Sequence, residues 1–456
     1  MKQIFFLIIL VILPSVFCIA QIEENDVNTP LHLMQPDFKG LPYNIPKEQA
    51  VKASIDSVLS FLEKTMPIEV ENGRLKQGGF RLTSYEMGVL YSAVQDVARN
   101  TKDDRYLKFA EERLLTMAKL APSMRDSLAK DKNYDRQMRP LVMPHSLDDA
   151  GAMCAAYCRL SLERAQKSYE PVIKGYMGRI WKIYRIGNDN IYARIFPHYN
   201  SVWLDDMYMG IPALAWYGAL MNNTASIDDA VSQILAFRNR MWVQLPSIGG
   251  IEQGLFRHGW VEEMDPHPFF PWGRANGWAI LTMCEVLDAM KKTNYTNGRD
   301  EILSLLRQHI AGICAVQDKS GLWHQLLDDN TSFLETSASA IFTYCLAHAI
   351  CEGWISPITY GAQTLLGWQA LSTKINEQGQ VMGTVVGSGM GFDRAFYCHR
   401  PCHPMAAHGY GPVIWAGGEV IRMLRRTYPK MNDSAINFYP TEQTATQPIF
   451  REERRK

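Results

Sequence analysis

The chain has 456 residues, of which 47% are hydrophobic and 21% are charged. This balance excludes a mainly disordered chain, because so many apolar side chains can fill a large core. The 47 Lys and Arg residues are matched by 47 Asp and Glu residues, so no basic excess indicates a nucleic acid or an anionic membrane as partner. We therefore expect a globular protein that binds no nucleic acid.

The first twenty residues have the pattern of a secretory signal. Lys2 precedes an apolar stretch, and small residues follow up to Ala20. We expect cleavage after Ala20 and an exported protein, either periplasmic or secreted. The bulky Phe17 directly before Cys18 argues against a lipoprotein anchor. No other stretch is long and apolar enough to predict a membrane span.

Helical periods recur from Lys47 onward, while alternating β-branched runs are almost absent. The first helix has its apolar side chains on one face, from Val51 to Leu62. The second is predicted to open with a capping box, in which the Thr83 hydroxyl and the Glu86 carboxylate satisfy backbone N–H groups. Ten more helices are predicted at about residues 104–119, 148–166, 171–184, 205–220, 226–240, 273–292, 299–316, 333–351, 356–372 and 410–427.

Twelve helices in six consecutive hairpins predict an all-α (α/α)6 barrel, a six-hairpin toroid in which six outer helices cover six inner ones. The step between hairpins, about 50 to 65 residues, is longer than in tetratricopeptide or armadillo arrays. The predicted organisation is a signal peptide at 1–20, an N-terminal extension at 21–46, the barrel at 47–428 and a polar C-terminal tail at 429–456. A closed ring gathers the loops before alternate helices around one opening, where they can converge on a ligand.

Two acidic doublets precede predicted helices: Asp148-Asp149 and Asp205-Asp206. Asp is common at helix N-caps and in first turns, which explains one residue of each doublet. Two adjacent carboxylates repel each other and lose hydration, and both effects raise a pKa toward the range useful for general acid catalysis. We expect one Asp of each doublet to cap its helix and the other to face an aromatic pocket.

A segment rich in tryptophan and arginine runs from Pro271 to Trp278. The faces of Trp272 and Trp278 can stack on sugar rings, and Arg274 can bind a carboxylate through two N–H groups. The alternative is a cation–π core motif at a helix start. His258 can add a polar contact, although a lone His is more often a satisfied loop residue. An acidic oligosaccharide is the predicted ligand.

Cofactor and metal motifs give no positive signal. The sequence contains no GxGxxG, Walker A, GxSxG or HExxH pattern, which removes the usual grounds for nucleotide, serine-hydrolase or zinc-peptidase chemistry. Cys398 and Cys402 flank a His in a CxxxC spacing, but without a matching second ligand pair a pair of loop thiols is favoured over zinc. We expect a carbohydrate enzyme without cofactor or metal.

The ordered set of motifs resembles glycoside hydrolase family 105 and the related family 88, the unsaturated rhamnogalacturonyl and uronyl hydrolases. The resemblance covers about residues 47–428. It depends on Leu147-Asp148-Asp149, Trp203 to Met209, Trp272 to Trp278, Glu335 to Ser339 and His408 to Pro412. This family has the (α/α)6 fold that the helix count predicts.

The resemblance implies hydration of the C4=C5 double bond that polysaccharide lyases leave in a terminal uronic acid. An Asp protonates C4, water adds at C5, and the hemiketal rearranges with loss of the attached sugar. By motif match Asp205 is the general acid and base. Its partner is Asp148 or Asp149, with Asp149 favoured by its Asp-x-Gly context. The implied substrate-binding residues are Trp203, His258, Trp272, Arg274 and Trp278.

Some features depart from the family pattern. Ala275 stands where the family usually has Gly, residues 265–270 are bulky and rich in proline, and residues 387–403 have no assigned role. The first two put the shape of the subsite in question rather than the reaction.

Two other functions compete with this hypothesis. One is an inverting glycosidase acting on a saturated glucuronide, with Asp205 and the Asp148/Asp149 pair as separate acid and base about 6.5–9.5 Å apart. The other is a non-catalytic acidic-sugar-binding protein, which would not require Asp205. Rhamnogalacturonan from pectin is the first expected substrate source, and a monomer or a small homo-oligomer is expected.

Overall fold

The computed structural model describes residues 43–432 and 435–446. The predicted signal peptide, the N-terminal extension up to residue 42 and the last ten residues of the predicted tail lie outside the described residues. The described residues from Asn44 onward form one compact unit.

The described part of the chain contains twelve long α-helices and three short ones. The long helices are α1 (Glu48–Thr65), α2 (Tyr85–Thr101), α3 (Asp104–Lys130), α5 (Leu147–Glu163), α6 (Tyr169–Ile180), α7 (Asp206–Met221), α8 (Thr224–Met241), α9 (Gly273–Thr293), α10 (Arg299–Ala315), α11 (Thr336–Cys351), α12 (Pro357–Ser372) and α14 (Tyr410–Thr427). The short ones are α4 (Arg139–Val142), α13 (Arg394–Cys398) and α15 (Glu442–Ala445). All twelve predicted helices are present, and α3 continues to Lys130, beyond its predicted end.

Six helices form a closed inner ring. α2, α5, α7, α9, α11 and α14 each pack on the next, and α14 returns to α2. α3, α6, α8, α10 and α12 each cover the inner helix that precedes them, while α1 covers α14. The predicted (α/α)6 barrel is thereby confirmed.

Side-chain pattern separates the inner helices from the outer ones. α1 buries one apolar stripe, whereas α7 and α11 are buried on nearly every side, as helices at the centre of a protein must be. Glycine lets the inner helices approach closely. A Cβ on Gly151 of α5 would lie 1.6 Å from the Met209 carbonyl oxygen of α7, and one on Gly88 of α2 would lie 2.5 Å from the Ala152 backbone of α5. No larger residue fits at either position.

The strands form short antiparallel pairs in the loops. They are β1 (Val70–Glu71), β2 (Arg74–Leu75), β3 (Arg185–Ile186), β4 (Ile191–Tyr192), β5 (Ser201–Trp203), β6 (Trp242–Ile248), β7 (Ile251–Phe256), β8 (Gly259–Val261), β9 (Trp323–His324), β10 (Leu334–Glu335), β11 (Lys430–Met431) and β12 (Ile436–Asn437). The pairing of β5 with β8 sets Trp203 opposite Gly259 and brings the loop before α7 next to His258.

Two local features differ from the predictions. The β6–β7 hairpin was not predicted, because Pro246 interrupts its first strand and most of that strand is exposed, which leaves no alternating pattern. The capping box at α2 is wrong. Ser84 occupies the N-cap position without a side-chain cap bond, and the Thr83 hydroxyl donates instead to the Gln137 carbonyl.

None of the helices within the described ranges has the length and apolar character needed to cross a membrane.

Candidate active site

The inner helices all begin at the same end of the barrel, which we call the mouth. Their first turns, and the residues just before them, contribute Tyr85, Asp148, Asp205, Arg274, Ser337 and His408. The amino ends of helices carry partial positive charge, so six of them around one opening favour an anionic ligand.

Asp205 is held by a chain of two hydrogen bonds. Its side chain is 14% exposed, and its Oδ2 lies 2.9 Å from Nε2 of the fully buried His258. On the other side of the imidazole, Nδ1 lies 2.6 Å from the Tyr397 hydroxyl. That oxygen accepts from the Gly391 N–H at 2.9 Å, and its own proton has two acceptors, His258 Nδ1 and the more distant Gly391 carbonyl at 3.3 Å. Donation to the nearer acceptor leaves the Nε2 proton of His258 directed at Asp205.

The charge state of Asp205 follows from its neighbours. Burial acts to raise its pKa, but His258, Arg194 and Arg274 together lower the pKa below the usual range. Asp205 is therefore ionised in the ligand-free site. Burial also raises the pKa of Tyr397, which keeps its hydroxyl a proton donor.

Arg194 holds two carboxylates at the mouth. Its Nε lies 2.9 Å from Asp206 Oδ2 and its Nη2 lies 2.7 Å from Asp206 Oδ1, a two-pronged pair that fixes the buried Asp206. The same Nη2 lies 3.3 Å from Asp148 Oδ1, and the guanidinium sits 4.4 Å from the Trp203 ring centre. Asp206 thus has a structural role, whereas Asp148 forms only one longer hydrogen bond, to a guanidinium that is already paired with Asp206.

Asp148 is the carboxyl whose pKa is raised. Loss of hydration raises the pKa of Asp148 to about 6; Arg194 opposes that shift, and the negative charges of Asp206 and Asp205 add to it. Its side chain remains 36% exposed, so a ligand entering the mouth can reach it. The site therefore holds two carboxyls whose pKa values are shifted in opposite directions.

Asp149, favoured from its Asp-x-Gly context, has a local role. Its N–H donates to Ser146 Oγ, and its Oδ2 accepts from the His145 N–H at 3.0 Å and also pairs with the His145 ring. Gly151 of that context serves the close contact of α5 with α7. The structure thus brings Asp148, and not Asp149, to the group that contains Arg194 and Asp205.

The expected capping by the two doublets is also wrong. Ser146 is the N-cap residue of α5 and its side chain makes the cap bond. Asp205 occupies the N-cap position of α7 but makes no cap hydrogen bond, because its carboxylate is used by His258.

Arg274 binds the backbone that leads into the segment 387–403. Its Nη1 and Nη2 each donate at 2.8 Å, to the carbonyls of Val385 and Val386. Glu335 supports the same backbone by accepting the Val385 N–H at 2.9 Å. Since each terminal guanidinium nitrogen carries two N–H groups, Nη2 retains one for a ligand. The segment with no assigned role therefore covers the mouth and supplies Tyr397.

The tryptophans of the mouth expose little ring surface for stacking on a sugar. Trp272 is fully buried, with the Arg274 guanidinium and the His258 ring each 4.6 Å from its ring centre, as the cation–π alternative described. Its indole N–H has no partner among the described residues. Trp278 is also buried and stacks on Tyr208. Trp203 is more accessible, at 9%.

A second buried pair lies across the mouth. The Tyr85 hydroxyl is 2.5 Å from His408 Nε2. Burial, with a further contribution from Arg274, lowers the pKa of His408 well below its usual value, so this His is neutral and accepts the Tyr85 proton. The charges of Asp148 and Asp205 act on the Tyr85 hydroxyl, which places it within the same site.

Arg194 and Tyr397 are among the residues of the site that were not predicted. A single Arg in a loop has no motif, and its partner Asp148 is distant in the sequence. Tyr397 lies in a segment without periodicity, whose position over the mouth depends on tertiary contacts alone.

Across residues 43–432 and 435–446, no three His, Cys, Asp or Glu side chains are grouped so as to hold a metal ion. Cys398 and Cys402 are free thiols.

A helical toroid whose mouth combines two carboxyls, buried indoles and a fixed arginine defines a carbohydrate-active (α/α)6 protein. The family model of Glycosyl Hydrolase Family 88 matches residues 60–424, so the chain belongs to this family.

Two proteins of known sequence are similar to about half of this chain. The unsaturated rhamnogalacturonyl hydrolase YesR of Bacillus subtilis (strain 168) is 26% identical over 235 residues, which is 51% of this chain and 63% of that protein. The chain thus spans less than two thirds of the length of this relative. Protein Atu3128 of Agrobacterium fabrum is 29% identical over 244 residues, covering 48% of this chain and 100% of that protein.

Solved structures share the fold. A possible member of the GH105 family from Salmonella enterica serovar Paratyphi A matches with a TM-score of 0.68 and 21% identity, over 84% of this chain and 96% of that one. The unsaturated glucuronyl hydrolase of Bacillus sp. GL1 matches with a TM-score of 0.53 and 12% identity, over 83% and 96%.

Proposed function

We propose that the protein hydrates the C4=C5 double bond of an unsaturated uronic acid at the non-reducing end of lyase-generated oligosaccharides and releases a 4-deoxy-5-keto uronate. The observation that carries this proposal is the pair of carboxyls, Asp205 and Asp148, whose pKa values are shifted in opposite directions beside the fixed guanidinium of Arg274. Family membership and the activity named for YesR support it, and they make rhamnogalacturonan fragments the first substrate to test.

The reaction needs one proton at C4, one water at C5 and a group that takes a proton from that water. Asp205 gives its proton to C4 and receives the proton of the attacking water, so it ends as it began. The new C5 hemiketal opens as its ring C–O bond breaks, and the hemiacetal left at C1 then expels the attached sugar. His258, fixed by Tyr397, keeps the carboxylate of Asp205 in one orientation throughout.

The acid form of Asp205 requires a change on binding, because the ligand-free carboxyl is ionised. A substrate carboxylate paired with Arg274 would offset one of the positive charges that now lower its pKa. Closure of the mouth over the sugar would remove water and raise the pKa further. Asp148, with its pKa of about 6, would orient the ring hydroxyls while it stays hydrogen-bonded to Arg194.

The test is turnover of purified protein on lyase-made unsaturated disaccharides from rhamnogalacturonan, ulvan and glycosaminoglycan, followed by the ultraviolet absorbance of the double bond. Loss of absorbance with one of them is the expected result and identifies the substrate source. Cleavage of a saturated glucuronide with no absorbance loss would favour an inverting glycosidase. Binding without any turnover would favour a sugar-binding protein.

We further propose that the protein is exported and acts as a monomer or a small homo-oligomer. The N-terminal pattern ending at Ala20 supports export. Amino-terminal sequencing of protein from the periplasm or the medium should give Gln21 as the first residue, and sedimentation of that material gives its oligomeric state.

A further inference from the structure

A cleft rich in arginine adjoins the mouth. Its volume is about 350 Å³, and it continues past Arg81 and Arg136 into a second cavity of about 500 Å³ that includes Arg74. We call the two together the arginine cleft. The part next to the mouth is lined by Arg81, Asn133, Arg136, Arg139, Pro140, His145 and Asp149.

The arginines of this cleft lack acidic partners. None of Arg81, Arg136 and Arg139 forms an ion pair with a carboxylate in the described part of the chain, whereas Arg74 stacks on Tyr134 at 4.0 Å from the ring centre. Two acids also line the cleft, but their hydrogen bonds are not to its arginines. Asp149 pairs with His145, and the buried Asp135 accepts the backbone N–H groups of residues 137 and 138. Positive charge therefore accumulates here, although the protein as a whole is neutral.

The cleft lies at the same end of the barrel as the carboxyl pair. Asp149 lines the cleft and directly follows Asp148 in the first turn of α5, although the two side chains make different contacts. An unsaturated ring is always the terminal residue of its oligosaccharide, so all other sugars of the substrate extend away from Asp148 and Asp205 on the leaving-group side. A cleft at this end of the barrel, bounded by the first turn of α5, is in position to receive them.

We infer that the arginine cleft binds a second anionic group of the substrate, a carboxylate or a sulfate on a sugar beyond the bond that breaks. The inference rests on the proposed function, and it narrows the substrate class to oligosaccharides that carry at least two negative charges. Guanidinium groups suit this role, because their planar N–H pairs match the oxygens of carboxylates and sulfates. Each contact is exposed and worth about two- to fivefold in affinity, so the effect depends on several arginines acting together.

The experiment compares kcat/KM for three unsaturated substrates: a disaccharide, a longer oligosaccharide with a second uronate, and the same oligosaccharide with that uronate reduced to its alcohol. A fourth substrate carries a sulfate in place of the second carboxylate. Wild-type protein should prefer the doubly charged substrate over the reduced one by about tenfold, and the preference should shrink as salt is added. The better of the carboxylate and sulfate substrates identifies the source of the anion.

The variant with Arg81→Gln, Arg136→Gln and Arg139→Gln should lose this preference and lower kcat/KM for the doubly charged substrate far more than for the disaccharide. Arg164→Gln, an exposed arginine beyond the end of α5, is the matched control and should keep the preference. Equal losses on charged and reduced substrates, or a wild-type protein without preference, would overturn the inference.

The experiments distinguish failure of the proposed function from failure of this inference. If no unsaturated substrate loses its absorbance, the hydration chemistry is wrong, and calorimetry with saturated oligosaccharides still tests the cleft. Tighter binding of the doubly charged than of the reduced saturated oligosaccharide, lost in the triple variant, would support the cleft; equal binding would overturn it.

Discussion

The two ends of the barrel carry similar charged residues in opposite arrangements. At the end where the inner helices finish, which we call the base, Glu285 accepts from Arg159 at 2.8 Å and from the Trp216 indole at 2.7 Å. Glu419 there accepts from His348 at 3.1 Å and from Arg422 at 2.6 Å. At the mouth, by contrast, Asp148 accepts a single hydrogen bond of 3.3 Å from Arg194 Nη2. Removing one partner of a fully paired buried charge destabilises a fold, whereas a carboxyl left incompletely paired is available for chemistry.

The largest expected effect is on turnover at the mouth. Asp205→Asn keeps the shape of the side chain but removes the proton that C4 requires. We expect kcat to fall by about a thousandfold or more, because general acid–base groups contribute factors of this size. The melting temperature should fall by only a few degrees, because the Asn side chain still accepts the hydrogen bond from His258 although the favourable negative charge is lost. Absorbance of the double bond and a thermal melt measure the two quantities. Undiminished turnover by the variant would remove Asp205 from the mechanism.

The next-largest effect is at the base, where we expect a loss of stability with kcat unchanged. Glu285→Gln removes one of the two carboxylates that pair with the buried Arg159 and leaves only Asp96. We expect this to cost about 3 kcal/mol of the free energy of unfolding, the lower end of the range for a broken buried pair. The kcat of the molecules that remain folded should be that of the wild type. Denaturant unfolding and active-site titration measure them. Glu170→Gln, which breaks an exposed pair with Lys174, is the control and should leave the unfolding midpoint in place. A large loss of kcat in Glu285→Gln would show that the two ends are coupled.

The fold was predictable because every level of the sequence agrees on it. Twelve apolar periods separated by short polar breaks leave few alternatives to six hairpins, and α7 and α11 lack a polar face because they are inner helices. The mouth was predictable where residues are neighbours in the chain, as in the doublet at Asp205 and the segment from Trp272 to Trp278. It was not predictable where the contact depends on tertiary approach. Arg194 meets Asp148, and Tyr397 meets His258, across long stretches of sequence.

The comparison of mouth and base also predicts that the contributions of Asp148 and Glu419 to stability depend on pH in opposite directions. The pKa of Asp148 is raised to about 6 in the folded protein, so the folded state holds this proton more tightly and the contribution of Asp148 to stability falls as pH rises from about 4 to 6. The pKa of Glu419 is lowered to about 2 although burial alone would raise it, because His348 and Arg422 favour the carboxylate. Its contribution is present above the unfolded pKa near 4.5 and is lost as pH falls toward 2.

At pH 7, therefore, Asp148→Asn should raise the melting temperature by a few degrees, and Glu419→Gln should lower it by a similar or larger amount. At pH 4 the gain from Asp148→Asn should nearly vanish, since the wild-type carboxyl is then protonated as well. Thermal melts of both variants and the wild type at the two pH values test the signs. A destabilising Asp148→Asn at pH 7 would mean that Arg194 satisfies this carboxylate as fully as the base satisfies its own.

The smallest effect concerns the group that orients His258. Tyr397→Phe removes the proton that His258 Nδ1 accepts, so the ring can also adopt the tautomer that carries its proton on Nδ1. In that tautomer Nε2 no longer donates to the Asp205 carboxylate, which loses both its fixed orientation and a hydrogen bond that lowers its pKa. We expect kcat to fall by about tenfold, KM to change little, and the alkaline limb of the kcat profile to move to higher pH.

Nitrogen-15 shifts of His258 report its tautomer directly, and the tautomer with the proton on Nδ1 should be seen only in the Tyr397→Phe variant. Tyr295→Phe, which removes the hydroxyl of a half-buried tyrosine bound to Asp228, is the matched control and should change neither readout. A purely structural role for Tyr397 would lower stability and leave both the pH profile and the tautomer of His258 as in the wild type. In that case the orientation of His258 would depend on its packing against Trp272 rather than on the hydroxyl.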